Sequence, residues 1–264
     1  MLITSRDNSL LRQARAVRDG KVDELIFIEG LRLCEEALRS KLTIEAVVVS
    51  EELLRKERAA AVINELSEAA KRFGSVSEKL LESVSYTKTP QGIIVLAQRP
   101  DASEARLAAQ FEANPLLVVL HQINNPVNVG AILRTSEAAG AAGVITTKNT
   151  SDPFSPKSLR GAMGSAFRLP MWSGPSYSEM IEWCREREIV TVCADVNATT
   201  SYTELDWTGP SALILGPEST GLGSEELELA DQRVSIPMKG IAESLNVAVA
   251  AGVLLFEAAR QRRK

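Results

Sequence analysis

Residues 212–256 gather most of the side chains able to do chemistry into a frame of glycines and aliphatics. Glu243-Ser244-Leu245-Asn246 sets polar groups at the mouth of a helix that is otherwise apolar. The free N–H groups of a helix start attract such side chains, so capping accounts for Ser244. It does not account equally for Asn246, two residues further in. Upstream, GPESTGLG carries Glu218 between glycines that let the backbone turn tightly and approach a ligand. Asn128 and Arg134 stand six residues apart on a predicted helix, on close but not identical faces. A guanidinium almost never loses its proton, so Arg134 is suited to hold a phosphate or a developing oxyanion.

The glycines do not form a phosphate loop. Gly216 and Gly221 have Walker-like spacing, but Leu222 stands where the lysine belongs, and no GxGxxG follows a strand. What remains is a set of bends beside an apolar, backbone-lined slot: Leu215, Gly216, Gly221, Ile236, Met238 and Leu245. Such a slot suits an adenine ring held by backbone groups between aliphatic walls; packing glycines are the plainer explanation. His121 is the only histidine, so a multi-histidine zinc site is excluded and no metal is expected. It ends a strand beside the site, where a structural role outweighs a catalytic one. Cys34, Cys184 and Cys193 lack metal or disulfide spacing and read as small hydrophobes.

The elements that must position these residues alternate between strand and helix. Strands are predicted at 24–29, 44–49 and 92–97, with helices at 1–21 (starting near Ser5 or Asn8), 32–40, 51–54 and 60–73. A short strand or turn followed by a helix covers 75–83. A break at 98–103 and a linker helix at 103–111 follow. Further on, strands are predicted at 116–120, 143–147, 169–172, 189–195, 212–215 and 233–236. Helices are expected at 128–139, 178–187 and 224–230, and a turn with a short helix at 155–165. The last helix has a predicted apolar face of Leu245, Ala248, Val249, Gly252, Leu255, Phe256 and Ala259. Alternation of this kind predicts a doubly wound α/β domain behind a smaller α/β domain.

Three stretches in order carry a resemblance: NPVNVGAILRT (125–135), GPESTGLG with IPM, and SLNVAVAAG. They are similar to the three motifs of the SpoU/TrmH family of RNA ribose 2′-O-methyltransferases, and together span the core of residues 115–260. The departures are Asn125, often aspartate in the family, and Ser136, often alanine; neither touches the polar positions. The resemblance implies a C-terminal parallel-sheet α/β/α domain with a deep trefoil knot, S-adenosylmethionine in the slot, and a homodimer. It implies that Asn128, Arg134, Glu218, Ser244 and Asn246 form the active site, the matching arginine having been assigned there as general base. The segment 155–165 resembles the family's stretch beside the acceptor pocket. The strands near 24–29, 44–50 and 89–98 resemble the RNA substrate-binding domain of many members. The domains expected are 1–100 for RNA binding, 101–113 as linker and 114–264 for catalysis.

Composition is that of a globular chain, 45% hydrophobic and 24% charged. No apolar run approaches the ~20 residues of a membrane helix, and no secretory h-region opens the chain, so a cytoplasmic location is expected. The net charge of −4 hides an uneven distribution. Residues 179–231 hold twelve acids and two bases, leaving the remainder net positive by roughly six. Arg6 and Arg12 belong to one basic cluster, Lys157 and Arg160 to another, and Arg260, Arg262, Arg263 and Lys264 to the tail. These read as phosphate contacts or as a solvated surface, with Arg6, Arg12, Lys157 and Arg160 the RNA candidates. The leading reading is methyl transfer to a ribose 2′-hydroxyl of structured RNA, with ribosomal RNA preferred over transfer RNA. A transfer-RNA 2′-O-methyltransferase, base methylation and a catalytically silent RNA-binding protein are the alternatives.

Overall fold

The computed structural model describes residues 1–110 and 113–263. Contacts divide the chain into two compact units, Met1–Pro100 with Phe154–Arg168, and Asp101–Pro153 with Leu169–Lys264. Of the predicted linker helix, Phe111 lies outside the described residues, as does Lys264 of the basic tail.

The N-terminal unit runs β1 (Leu2–Ile3), α1 (Ser9–Arg18), β2 (Leu25–Glu29), α2 (Leu31–Arg39), β3 (Ile44–Ser50), α3 (Glu51–Leu54), α4 (Glu57–Ala69), β4 (Arg72–Val76), α5 (Glu78–Glu82) and β5 (Ile93–Gln98). Its mixed sheet has the order β1-β4-β3-β5-β2. The β-branched runs of β3 and β5 lie side by side and are almost wholly buried. Helix α1 lays Leu10, Leu11, Ala14 and Val17, one helical face, against Phe27, Val48, Ile94 and Leu96. Two sequence expectations change here. The first helix is shorter than 1–21, because Asn8 caps it and Leu2–Ile3 pair with Ser75–Val76 as an edge strand. The helix expected over 60–73 stops at Ala69, and Phe73 lies in β4. Gly74 makes that strand possible beside β1, since a Cβ there would meet Ile3 Cδ1 at 2.5 Å.

The second unit runs α6 (Glu104–Ala108), β6 (Leu116–Leu120), α7 (Pro126–Ala138) and β7 (Gly143–Thr146). Helices α8 (Pro156–Ala162) and α9 (Ser165–Arg168) group with the N-terminal unit. The chain returns through β8 (Met171–Ser173), α10 (Tyr177–Glu186), β9 (Val190–Ala194), β10 (Ser211–Leu215), α11 (Ser224–Leu229), β11 (Gln232–Val234) and α12 (Val247–Arg262). The six strands are all parallel, in the order β11-β9-β10-β6-β7-β8. LLVVL of β6 and SALIL of β10 are buried throughout, as central parallel strands must be. From β6 the chain winds outward through β7 and β8, then returns on the other side, so β6 and β10 flank the switch point. In open α/β sheets ligands bind outside the carboxyl ends of strands at that place. His121 N–H donates to Leu215 O at 2.9 Å and ties the two strand ends together.

Helix α12 differs from expectation at its start and on its faces. Asn246 rather than Ser244 is the cap, its Oδ1 accepting from Ala248 N (2.9 Å) and Val249 N (3.4 Å). The buried face is Ala251, Leu254, Leu255 and Ala258, while Val249 and Phe256 stay 53% and 47% exposed. An apolar stripe running around so alanine-rich a helix leaves the choice of buried face to its neighbours.

Candidate active site

Asn125 opens α7 by accepting from Val127 N at 3.0 Å, with Pro126 at the first helical position, where a missing N–H costs nothing. Asn128 therefore lies inside the first turn rather than at the helix start, and is buried. Its Nδ2 donates to Glu218 Oε1 at 3.1 Å, and its Oδ1 accepts from Asn246 Nδ2 at 3.2 Å. The polarity of this row follows from one fact: an ionised carboxylate only accepts. Asn128 must turn its amide N–H to Glu218 and its carbonyl to Asn246, which leaves Asn246 Oδ1 to cap α12. One asparagine thus serves the helix and the row together.

Glu218 also accepts from the backbone N–H groups of Asn124 and Asn125, at 3.3 Å each. Burial is the largest single influence on its carboxyl and pushes the pKa up. The hydrogen bonds from Asn128 and from the backbone of Glu218, Asn124 and Asn125 together outweigh it, holding the pKa below the ordinary value.

The row opens on a cavity of about 680 Å³ at the carboxyl ends of β9, β10 and β11. Asn128, Glu218, Ser244 and Asn246 line it, and so do Leu215, Gly216, Gly221, Ile236, Met238 and Leu245. Arg134 does not line it; that side chain is exposed on α7 and has no hydrogen-bond or ion-pair partner among the described residues. Ala194, Asp195, Val196 and Asn197 at the end of β9 complete the wall and belong to none of the three motifs. The signal available for them was position alone: an Asp-Val-Asn turn following a predicted parallel strand.

The cavity's size is that of a small-molecule site. Its lining includes the carboxylates Asp195, Glu218 and Glu243 and no lysine or arginine. That charge disfavours a phosphate-bearing cofactor and favours a cationic one with an apolar ring. Gly216 leaves the room: a Cβ there would meet Leu222 Cγ at 2.8 Å and Leu222 N at 3.0 Å. These features fit a sulfonium-bearing adenosine.

The candidate RNA contacts fall elsewhere. Arg12 is exposed on α1, and Arg6 lines a separate cavity of about 410 Å³ with Lys79. Lys157 and Arg160 are exposed on α8, which groups with the N-terminal unit. All four cations thus sit on one compact unit, although two come from far along the chain.

Residues 115–256 match the model of the SpoU rRNA Methylase family, and residues 10–95 that of the MRM3-like substrate binding domain. A 23S rRNA (guanosine-2′-O-)-methyltransferase RlmB of Vibrio parahaemolyticus is 32% identical, over 89% of this chain and 97% of its own. A 23S rRNA (uridine(2479)-2′-O)-methyltransferase of Streptomyces viridochromogenes is 35% identical, over 69% of this chain and 65% of its own. Among solved structures, the AdoMet-bound rRNA methyltransferase from Sinorhizobium meliloti superposes with a TM-score of 0.86 at 28% identity, covering 98% of this chain and 97% of that one. Motif order, parallel sheet, switch-point cavity and these likenesses agree: the chain belongs to the SpoU rRNA methylase family.

Proposed function

We propose that this protein is an RNA ribose 2′-O-methyltransferase that uses S-adenosylmethionine and acts on structured ribosomal RNA. The observation that carries the reading is the Glu218–Asn128–Asn246 row bordering an acidic, aliphatic cavity. The names of the relatives, 23S rRNA 2′-O-methyltransferases, support the substrate, and the AdoMet-bound neighbour supports the cofactor.

Leu215, Gly216, Gly221, Ile236, Met238 and Leu245 would hold the adenosine through backbone groups and aliphatic walls. When bound, S-adenosylmethionine supplies an activated methyl group, so the protein has to align the acceptor and manage its proton. A ribose hydroxyl is a weak acid, and its attack develops negative charge. Arg134, outside the cavity and without a partner among the described residues, holds the acceptor phosphate or that oxyanion through its guanidinium. The proton leaves to water or to a substrate phosphate. Glu218 fixes the orientation of Asn128, and Ser244 with Asn246 anchors the loop that faces the acceptor. Arg6, Arg12, Lys157 and Arg160 contact RNA phosphates, residues 1–100 forming the RNA-binding domain, 101–113 the linker and 114–264 the catalytic domain.

Two further features belong to this reading. The C-terminal segment is threaded as a deep trefoil knot, as the family resemblance implies. Two copies pair through α7 and α12, which pack on each other and leave Val127, Val249 and Phe256 about half exposed. An RNA substrate of this kind supports a cytoplasmic location. Phe256→Asp should shift sedimentation from dimer to monomer; an unchanged dimer removes that face from consideration.

The decisive experiment is transfer of labelled methyl groups to total RNA, followed by mapping of alkali-resistant linkages. Label on ribosomal RNA sugars is expected, and label on a base overturns the reading. Retention of most of the rate by Arg134→Lys would exclude a need for the planar guanidinium fork.

A further inference from the structure

The only histidine of the chain does not touch the cavity, yet it is bonded to the segment that forms one wall. His121 directly follows β6 at 3% exposure, its ring edge-on to Tyr177 with centroids 4.8 Å apart. Nδ1 lies 2.9 Å from Thr147 Oγ1 and Nε2 lies 2.8 Å from Glu226 Oε1. An ionised carboxylate only accepts, so Nε2 carries the hydrogen, whichever way the Thr147 hydroxyl points. The second oxygen of Glu226 accepts from Gly223 N at 2.7 Å, and Tyr177 Oη donates to Glu226 O at 2.9 Å. Gly223 directly follows Gly221 and Leu222, both in the cavity wall, and Leu222 is the side chain that fills the space beside Gly216.

Packing alone does not hold this wall. None of the residues of α11 is buried, and only Leu222, Leu227 and Ala230 of the segment lean on the core. A six-residue helix with so little buried surface is marginal by itself. Its seat is set by polar bonds that converge on Glu226 from two buried rings. We propose that His121 is a positioning residue for cofactor binding: through Glu226 it clamps the Gly221–Leu222–Gly223 turn in the conformation that accepts adenosine. The clamp acts on cofactor affinity and leaves the methyl-transfer step alone, since neither His121 nor Glu226 reaches the Glu218–Asn128–Asn246 row.

This inference rests on the methyltransferase reading, and the test separates the two. S-adenosylhomocysteine is titrated calorimetrically into the full-length protein, and methyl transfer is measured across S-adenosylmethionine concentrations. His121→Phe keeps the ring against Tyr177 and removes both nitrogens. It should raise Kd for S-adenosylhomocysteine and KM for S-adenosylmethionine about tenfold, with kcat at saturating cofactor within about twofold. His121→Gln, whose amide can donate to Glu226, should recover most of the affinity. Thr147→Val, which removes only the partner on Nδ1, should move KM the same way by a smaller factor and serves if His121→Phe does not fold. Wild-type protein without affinity for S-adenosylhomocysteine overturns the methyltransferase reading and this one with it. Wild-type binding with unchanged Kd in His121→Phe (or unchanged KM in Thr147→Val), or a fall in kcat at saturating cofactor, overturns the clamp alone.

Discussion

The two ends of α12 are built on opposite principles. At the start, Asn246 is exposed, the preceding residues 241–245 are exposed with it, and Ile241 has full solvent exposure. At the finish, Arg262 is bound by the backbone. Its Nη1 donates to Asn114 O at 2.6 Å, and Nη2 donates to Pro115 O, Gly209 O and Ser211 Oγ. Gln261 adds bonds to Leu205 O and from Trp207 N, both at 3.0 Å. Burial draws the Arg262 pKa down, with Asp206 opposing. A helix pinned at its far end can present a ligand-facing loop at its near end, because the register of every turn between is already set. Few anchoring contacts belong where binding needs adjustment, and many where it does not.

The sharpest way to break this contrast is Asn246→Asp. Aspartate caps a helix as well as asparagine, so stability should stay within about 0.5 kcal/mol. It cannot donate to Asn128, so the methyl-transfer rate should fall about a hundredfold, read in single-turnover assays. Equal losses in rate and stability would mean that the start of α12 is structural after all. Arg262→Ala should do the reverse: a loss of about 3 kcal/mol in denaturant unfolding as several carbonyls lose their donor, with S-adenosylhomocysteine affinity unchanged in the folded protein. Gly216→Ala should weaken that affinity about tenfold, because the new methyl forces Leu222 aside.

Acid offers the mildest probe. The folded Glu218 carboxyl lies below its ordinary pKa, so the stability it contributes is fully present above the unfolded value. It is lost as pH falls through the lowered folded value, in a window below about pH 4. Glu218→Gln should flatten unfolding stability against pH across that window, whereas Arg262 variants should leave the shape of the profile unaltered.

Much of the candidate cavity's lining was legible before the fold. Four of the five polar residues and all six slot residues line one cavity, because sites of this sort are written as short motifs around strand ends and their glycines must stay in register with the strands. Arg134 alone of the five stands outside that lining. Six residues from Asn128 on a helix sounds close, yet the intervening turns put one side chain inside and the other on the surface. The face of α12 was illegible for a related reason: apolar residues circle the helix, and only packing against α7 and β10 selects which are covered. The wall from Ala194 to Asn197 reached the cavity without any motif.

By itself the chain's sequence determined the alternation of strand and helix, the central apolar strands and the polar set at the loops, since these depend on local propensity and short-range periodicity. Only the tertiary structure decided that Asn246 would cap a helix and bond Asn128 at once, that His121 would reach Glu226, and that Arg262 would hold the loops before β6 and β10. Each is a contact between residues distant in sequence, and its geometry comes from the order in which strands enter the sheet. No residue spacing encodes that order.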